Sequence, residues 1–494
     1  MMPTSVRSQS MVLAIATALS IAAPLSAQRG GQATRPQPRA LDRRVVPTAG
    51  KTPELHVPAW SKSALSNGAR LIVSEKHGLP LVSFQINFVG GANQYETAGK
   101  TGLAGLAASM LSEGTTHRTG DEISNALQLL GTSINTSIGA ESGRISFLST
   151  TDKLEPTLAI LADILKESTF PAEALERLKA RTVVTLTQNR DRTAGIAAVV
   201  FPKVLYTTAH PYGRTPNESS IKSVTRDDVV SFYKSYFQPG HAVITVVGDV
   251  TERQVRQAID GALGSWSAGG SMPSFDYPPA PQPKPTTIYL VDKPGAAQST
   301  FAIGEVGPPR GSPDYYALRV MNEMLGVLFQ SRLNHTIREV KGYSYGVFSN
   351  YAFGRGPGPF RAGGDIVTAK SDSALIEFMK ELRDIRGARP PTADEMAQAK
   401  ASLVQSLPAM FASVSSINNS IASIYTQDLP ADYYQQFAKA VDAVTSDDVV
   451  RVARKYIDPE HLAIVIVGDR ATIEGPLEAT HIAPVVRLDV DGNP

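Results

Sequence analysis

VTRDDVVSFYKSYFQPGHAVITVVGD, residues 224–249, returns as VTSDDVVRVARKYIDPEHLAIVIVGD at residues 444–469. The two copies align without a gap at a constant offset of 220 residues, and half of their positions are identical. Each opens with a Thr followed three residues later by an Asp (Thr225/Asp228, Thr445/Asp448), close to a capping box. An apolar stripe of helical period follows, and the helix stops before a Pro (Pro239, Pro459). An alternating, β-branched run ending in Gly-Asp then reads as a strand. In the first copy that strand leads into a second capped helix, TERQVRQAI. A match this long indicates a duplicated domain rather than a solenoid, whose units are much shorter.

The seam between the copies is GSWSAGGSMPSFDYPPAPQPKP (264–285), a Gly/Ser stretch passing into a Pro-rich one, as in inter-domain linkers. One domain is therefore expected at 52–263 and its duplicate at 286–480, with a tail at 481–494. Each half opens with strands, ARLIVSEK and LVSFQINFVGG in the first and TIYLVDK and STFAIGEVG in the second. Strands are expected at the two ends of each half with helices between. That pattern gives α+β domains, each a mainly antiparallel sheet with helices packed on one face.

The 494 residues are 42% hydrophobic and 19% charged, an ordinary globular composition. Forty-eight basic and forty-six acidic residues leave a net charge of +2, which gives no electrostatic case for a nucleic-acid partner. MMPTSVRSQS with Arg7, the apolar run 11–23 and the small-residue site PLSAQ read as a signal peptide over 1–27. The run is too short for a membrane span, and an uncleaved anchor is the alternative. Residues 28–51, rich in Gly and Pro, read as a flexible lead. A periplasmic or secreted location follows. Without cysteine there are no disulfides and no thiol chemistry.

GKTGLAGLAASMLSEGT (99–115) holds a helix with Leu103, Leu106, Ala107, Met110 and Leu111 on one face. The opposite face reads Gly105, Ala108, Ser109 and Ser112, with no side chain larger than a hydroxymethyl. The GKTGLAxxxxxML helix, the later HPYG (210–213) and the repeated VTxDDVV…VGD ending together resemble the insulinase/pitrilysin (inverzincin) family of zinc peptidases. Within it the chain is most similar to bacterial members related to mitochondrial processing peptidase. The resemblance covers nearly all of the mature chain. It implies two homologous α+β domains arranged as a clamshell around a peptide chamber.

The family's His-x-x-Glu-His motif sits on the quoted helix, two His ligating Zn²⁺ and the Glu taking a proton from the bound water. Here the five positions fall on Gly105, Leu106, Ala107, Ala108 and Ser109. The degenerate motif positions are thus Gly105, Ala108 and Ser109, without ligand or base. The third ligand, a Glu, belongs near LKARTVVTLTQNR (178–190), which has no acid. The eight histidines (56, 77, 117, 210, 241, 335, 461 and 481) include no helical pair. His210, His241 and His461 read as structural and His117 as solvated.

What the resemblance implies to be kept lies in SRLNHTIREVKGYSYGVFSNYAFGRGPGPF (331–360), similar to the family's LREKxGLAY-type segment. Active members carry there an Arg and, seven residues later, a Tyr that reach the zinc site from the second half. Arg338 and Tyr345 stand at that spacing, with Tyr343 a weaker candidate. A Tyr hydroxyl can donate to a tetrahedral oxyanion, and a guanidinium can hold a carbonyl or carboxylate. The bland alternative is a surface Arg and a core aromatic. GRGPGP has the glycines of a phosphate loop but lacks its Lys-Ser/Thr ending.

The resemblance implies a zinc-less subunit that forms half of a peptide chamber and donates substrate or oxyanion contacts. It implies no cofactor on this chain, with zinc on a homologous partner subunit and a peptide as substrate. A second reading is a non-catalytic scaffold or peptide-binding protein of the same family. A third, an independent peptidase, has no G-x-S-x-G elbow and no Cys to support it.

Overall fold

In the computed structural model, residues 55–266 and 273–494 are described; residues 1–51, expected as signal and lead, fall outside them. The first sheet has strands β1 (Ser61–Ala64), β2 (Arg70–Glu75), β3 (Leu81–Val89), β4 (Asn135–Ile138), β5 (Ser142–Thr150) and β6 (Ala242–Gly248). The second has β7 (Thr287–Asp292), β8 (Gln298–Val306), β9 (Ser344–Tyr351), β10 (Pro359–Val367), β11 (Ala463–Gly468) and β12 (Val485–Leu488). Their orders are β1-β2-β6-β3-β5-β4 and β12-β7-β11-β8-β10-β9. Most neighbours are antiparallel; β6 runs parallel to β2, and β7 is parallel to both β11 and β12.

Two features depart from the expected layout. The hairpins β4–β5 and β9–β10 lie in the middle of each half, so strands are not confined to its ends. The segment after residue 480 is part of the second sheet rather than a tail outside it, because β12 pairs with β7.

Helices important for the site are α1 (Leu103–Met110), α2 (Ala172–Asn189), α3 (Thr193–Tyr206), α4 (Arg226–Tyr236), α5 (Glu252–Leu263), α6 (Val414–Thr426) and α7 (Ser446–Tyr456). The repeated grammar is realised in atoms. Thr225 and Thr445 cap α4 and α7, each in a complete capping box with the Asp at N3, and Thr251 caps α5 in the same way. Alternate side chains of β3 (Phe84, Ile86, Phe88) face the first helical layer and pack with Leu106 and Met110 of α1. Phe301 and Ile303 of β8 face the second layer in the same manner.

The opposite face of each sheet is covered by a helix from the other half. From the first half, α3 lays Ile196, Ala197, Val200 and Phe201 on Val291, Ala302, Val465 and Val467 of the second sheet. From the second, α6 lies on β3 and β6 of the first sheet. These helices occupy matching places in the duplication, so the exchange is reciprocal and the two domains close on one another.

Candidate functional site: a retained helix without its ligands

The short helix α1 is held firmly. Gly102 before it adopts a left-handed backbone (φ +101°), which glycine tolerates at little cost. The Glu96 carboxylate accepts hydrogen bonds from the backbone N–H groups of Gly102 (3.0 Å) and Ala104 (2.7 Å), serving donors that the first turn leaves free. Burial pushes the Glu96 carboxyl up, against these two bonds. Lys100 pairs with Asp228 at 2.7 Å, tying the entrance of α1 to the capping box of α4. Burial opposes ionisation of Asp228, but Lys100 and the Thr225 donors outweigh it and hold the carboxyl at about 2.

Leu103, Leu106, Ala107 and Met110 are buried, while Gly105, Ser109 and Ser112 are exposed. Ala108 is only 5% exposed, so the bare face is narrower than the sequence indicates. At Gly105 a side chain would meet open space. Ser109 donates its hydroxyl to the Gly105 carbonyl at 3.0 Å. Both positions aligned with the motif histidines therefore face outward, and neither residue can ligate a metal as a histidine does.

Helix α2 packs beside α1. Within its stretch expected to supply an acid, Thr182, Thr185 and Thr187 are each bonded back to their own helix. Among the described residues no group of three or more His, Asp or Glu could hold a metal ion. Three of the histidines have other engagements. His117 bonds Asp163 at 2.7 Å and His461 bonds Asp458 at 2.7 Å. His210 accepts from the Tyr212 N–H at 3.1 Å and stacks on Tyr206, and burial lowers its pKa.

In the second half, a π-helical turn (His335–Val340) ends at Gly342, whose φ is +65°, and β9 begins at Ser344. Arg338 and Tyr345 come together across this turn, the guanidinium 5.6 Å from the Tyr345 ring centre. It lies closer to Phe329, at 4.2 Å. Tyr345 is 89% exposed, and the Arg338 side chain 26%. Neither points into its domain core. Tyr343, in contrast, packs against the core of the second half. Phe329 is itself 62% exposed, and nothing in the sequence spacing relates it to Arg338.

GRGPGP does cradle an anion, one belonging to its own chain. The Glu141 carboxylate, from the turn between β4 and β5, accepts from the backbone N–H of Arg355 (2.7 Å) and Gly356 (3.1 Å) and from the Tyr212 hydroxyl. A side chain at Gly356 would strike Tyr212, so glycine is required for this approach.

A duplicated α+β chain with this helix and no ligands has the architecture of a zinc peptidase and lacks the metal donors. The comparisons agree. Residues 72–210 match the family "Insulinase (Peptidase family M16)", and residues 223–403 match "Peptidase M16 inactive domain". The chain belongs to this family, as an inactive-type member. It is 21% identical to the "Non-peptidase homolog YmxG" of Helicobacter pylori, over 81% of this chain and 92% of the relative. A crystal structure of a peptidase M16 inactive domain from Pseudomonas fluorescens superposes with a TM-score of 0.76 at 24% identity, covering 83% of this chain and 98% of that one. The periplasmic protease PqqL of Escherichia coli superposes with a TM-score of 0.69 at 15% identity, over 85% of this chain but only 50% of PqqL.

Proposed function

We propose that this chain is the zinc-less subunit of a two-subunit M16 peptidase, forming half of its peptide chamber. The observation carrying this reading is the contrast at the two site regions. The motif helix is kept, capped and open at Gly105 and Ser109, and Arg338 and Tyr345 are held together with the phenol free. A chain serving only as filler has no use for either. The match to half of PqqL supports pairing, since the matched part is only 50% of that single chain. In this role Arg338 holds a substrate carbonyl or carboxylate and Tyr345 donates to the oxyanion formed at the partner's zinc. The signal-like residues 1–27 and a periplasmic relative support a periplasmic location.

The test is reconstitution with a homologous subunit carrying His-x-x-Glu-His. The purified chain should bind no stoichiometric zinc and cleave no fluorogenic peptide, and the pair should be active. Tyr345→Phe should lower kcat by about two to three orders of magnitude, the loss of one oxyanion donor. Full activity of the pair after both Arg338→Ala and Tyr345→Phe would remove the assigned role. The H. pylori relative's description as a non-peptidase homolog favours the second reading, a peptide-binding scaffold. That reading gains if no pair shows activity.

A further inference from the structure

A cavity of about 840 Å³ lies between α2, α3, the loop 208–219 and the C-terminal segment. Arg190, Arg192, Lys203 and Arg214 line it. Two carboxylates line it with them, Glu218 and Asp491, and Glu218 is held by Lys222 at 2.6 Å; behind this lining Glu96 acts on Arg214 and Asp489 on Lys203. Arg192 donates to the Asn189 side chain, and Arg214 to the carbonyls of Thr208 (3.2 Å) and Ala209 (3.0 Å). Among the described residues, Arg192, Lys203 and Arg214 have no carboxylate at ion-pair distance. A concave, cationic surface with apolar walls concentrates anions.

The chain itself shows which anion fits. Its own C-terminal segment occupies one wall, where the Asp491 carboxylate pairs with Arg190. Lys203 donates to the Asp491 carbonyl at 2.8 Å and to the Asn493 side chain at 2.6 Å. An acidic residue is thus read through its carboxylate and its main-chain carbonyl together. Arg192, and the Arg214 donors left over from its two carbonyl bonds, supply charged N–H groups that suit further carboxylates.

We propose that this cavity binds an acidic peptide segment. The site is a property of this chain alone and stands whether or not a zinc-bearing subunit joins it. Inorganic phosphate shares the charge but offers no main-chain carbonyl and fills little of the volume.

The experiment is fluorescence anisotropy on the full chain at low salt, with dye-labelled hexaglutamate and a neutral Ser/Gly hexapeptide carrying the same dye. Hexaglutamate should bind at least about tenfold more tightly, and Arg192→Ala/Arg214→Ala should weaken it by about tenfold or more. Asp491→Asn releases Arg190 and should tighten binding, a gain that misfolding cannot imitate. Equal binding of the two peptides overturns the proposal, as does undiminished binding by the double variant. So does weaker binding by Asp491→Asn, or displacement by inorganic phosphate as effective as by unlabelled hexaglutamate.

Discussion

Helices α3 and α6 are the same element of the duplication, exchanged between halves; both bury apolar side chains on their sheets, yet they differ in what lies at the centre of the contact. Against the strands the α3 contact is an apolar cluster with one hydroxyl pair, Thr300 to Thr193 at 2.8 Å. Its other polar bonds, from Lys203 and Tyr206, go to the C-terminal segment and the Pro357 carbonyl at the helix end. The α6 contact is polar at its centre. Asn418, with no exposed surface, donates to the Ser83 carbonyl (2.8 Å), the Ser83 hydroxyl (3.1 Å) and the Thr245 carbonyl (3.1 Å). Beside it, Gln85 and Arg144 both donate to the Asn419 side chain at 2.9 Å. Burying apolar area is tolerant of register, whereas a buried amide must meet its partners or pay their desolvation. The first contact supplies adhesion, and the second fixes how the halves are aligned.

The largest test of that contrast is Phe201→Ala on α3, which should cost about 3–5 kcal/mol in urea unfolding, the range for a buried Phe. Asn418→Ala should cost about 2–3 kcal/mol, because it leaves buried acceptors without a donor. Asn418→Leu should recover little of this, since volume is not what the site lacks; full recovery would mean that the contact is ordinary packing. Glu141→Ala removes the carboxylate that the GRGPGP loop holds and should cost about 1–2 kcal/mol.

A pH experiment separates the sheets. Glu305 is the eighth residue of β8, where β3 has Phe88. Burial, against one bond from the Asp458 N–H, raises its carboxyl from 4.5 to about 8. The folded state then keeps a proton that the unfolded chain gives up. Stability should fall as pH rises from about 4.5 to about 8 and level off above, and Glu305→Gln should flatten that slope. The smallest effect is Gly105→Ala, which should raise stability by about 0.5–1 kcal/mol, since open space surrounds an exposed helical glycine.

What was legible in the sequence was local. The capping boxes, the strands ending in Gly-Asp, the helix of residues 103–110 and the missing motif ligands are all spelled within a few residues. The hairpin β4–β5 was overlooked although SGRISFLST alternates, because its first strand is only four residues long. The exchange of α3 and α6 could not be read, since both have helical patterns that fit either sheet. Glu141 is 214 residues from the amide of Arg355, and nothing near it in the chain announces that partner. Ala108 was placed on the open face by helical period, but period assigns an angle and not the neighbours that cover it.

The exchange also sets a schedule for folding. All six strands of the first sheet exist once residue 248 has been made, but the helix covering its second face ends at residue 426. At ribosomal speed that interval is on the order of ten to thirty seconds. Throughout it, Ile72, Val243 and Val247 lie on an uncovered sheet face. A domain that looks independent by sequence is therefore a dependent one in time, and a holding chaperone would act on it in that window.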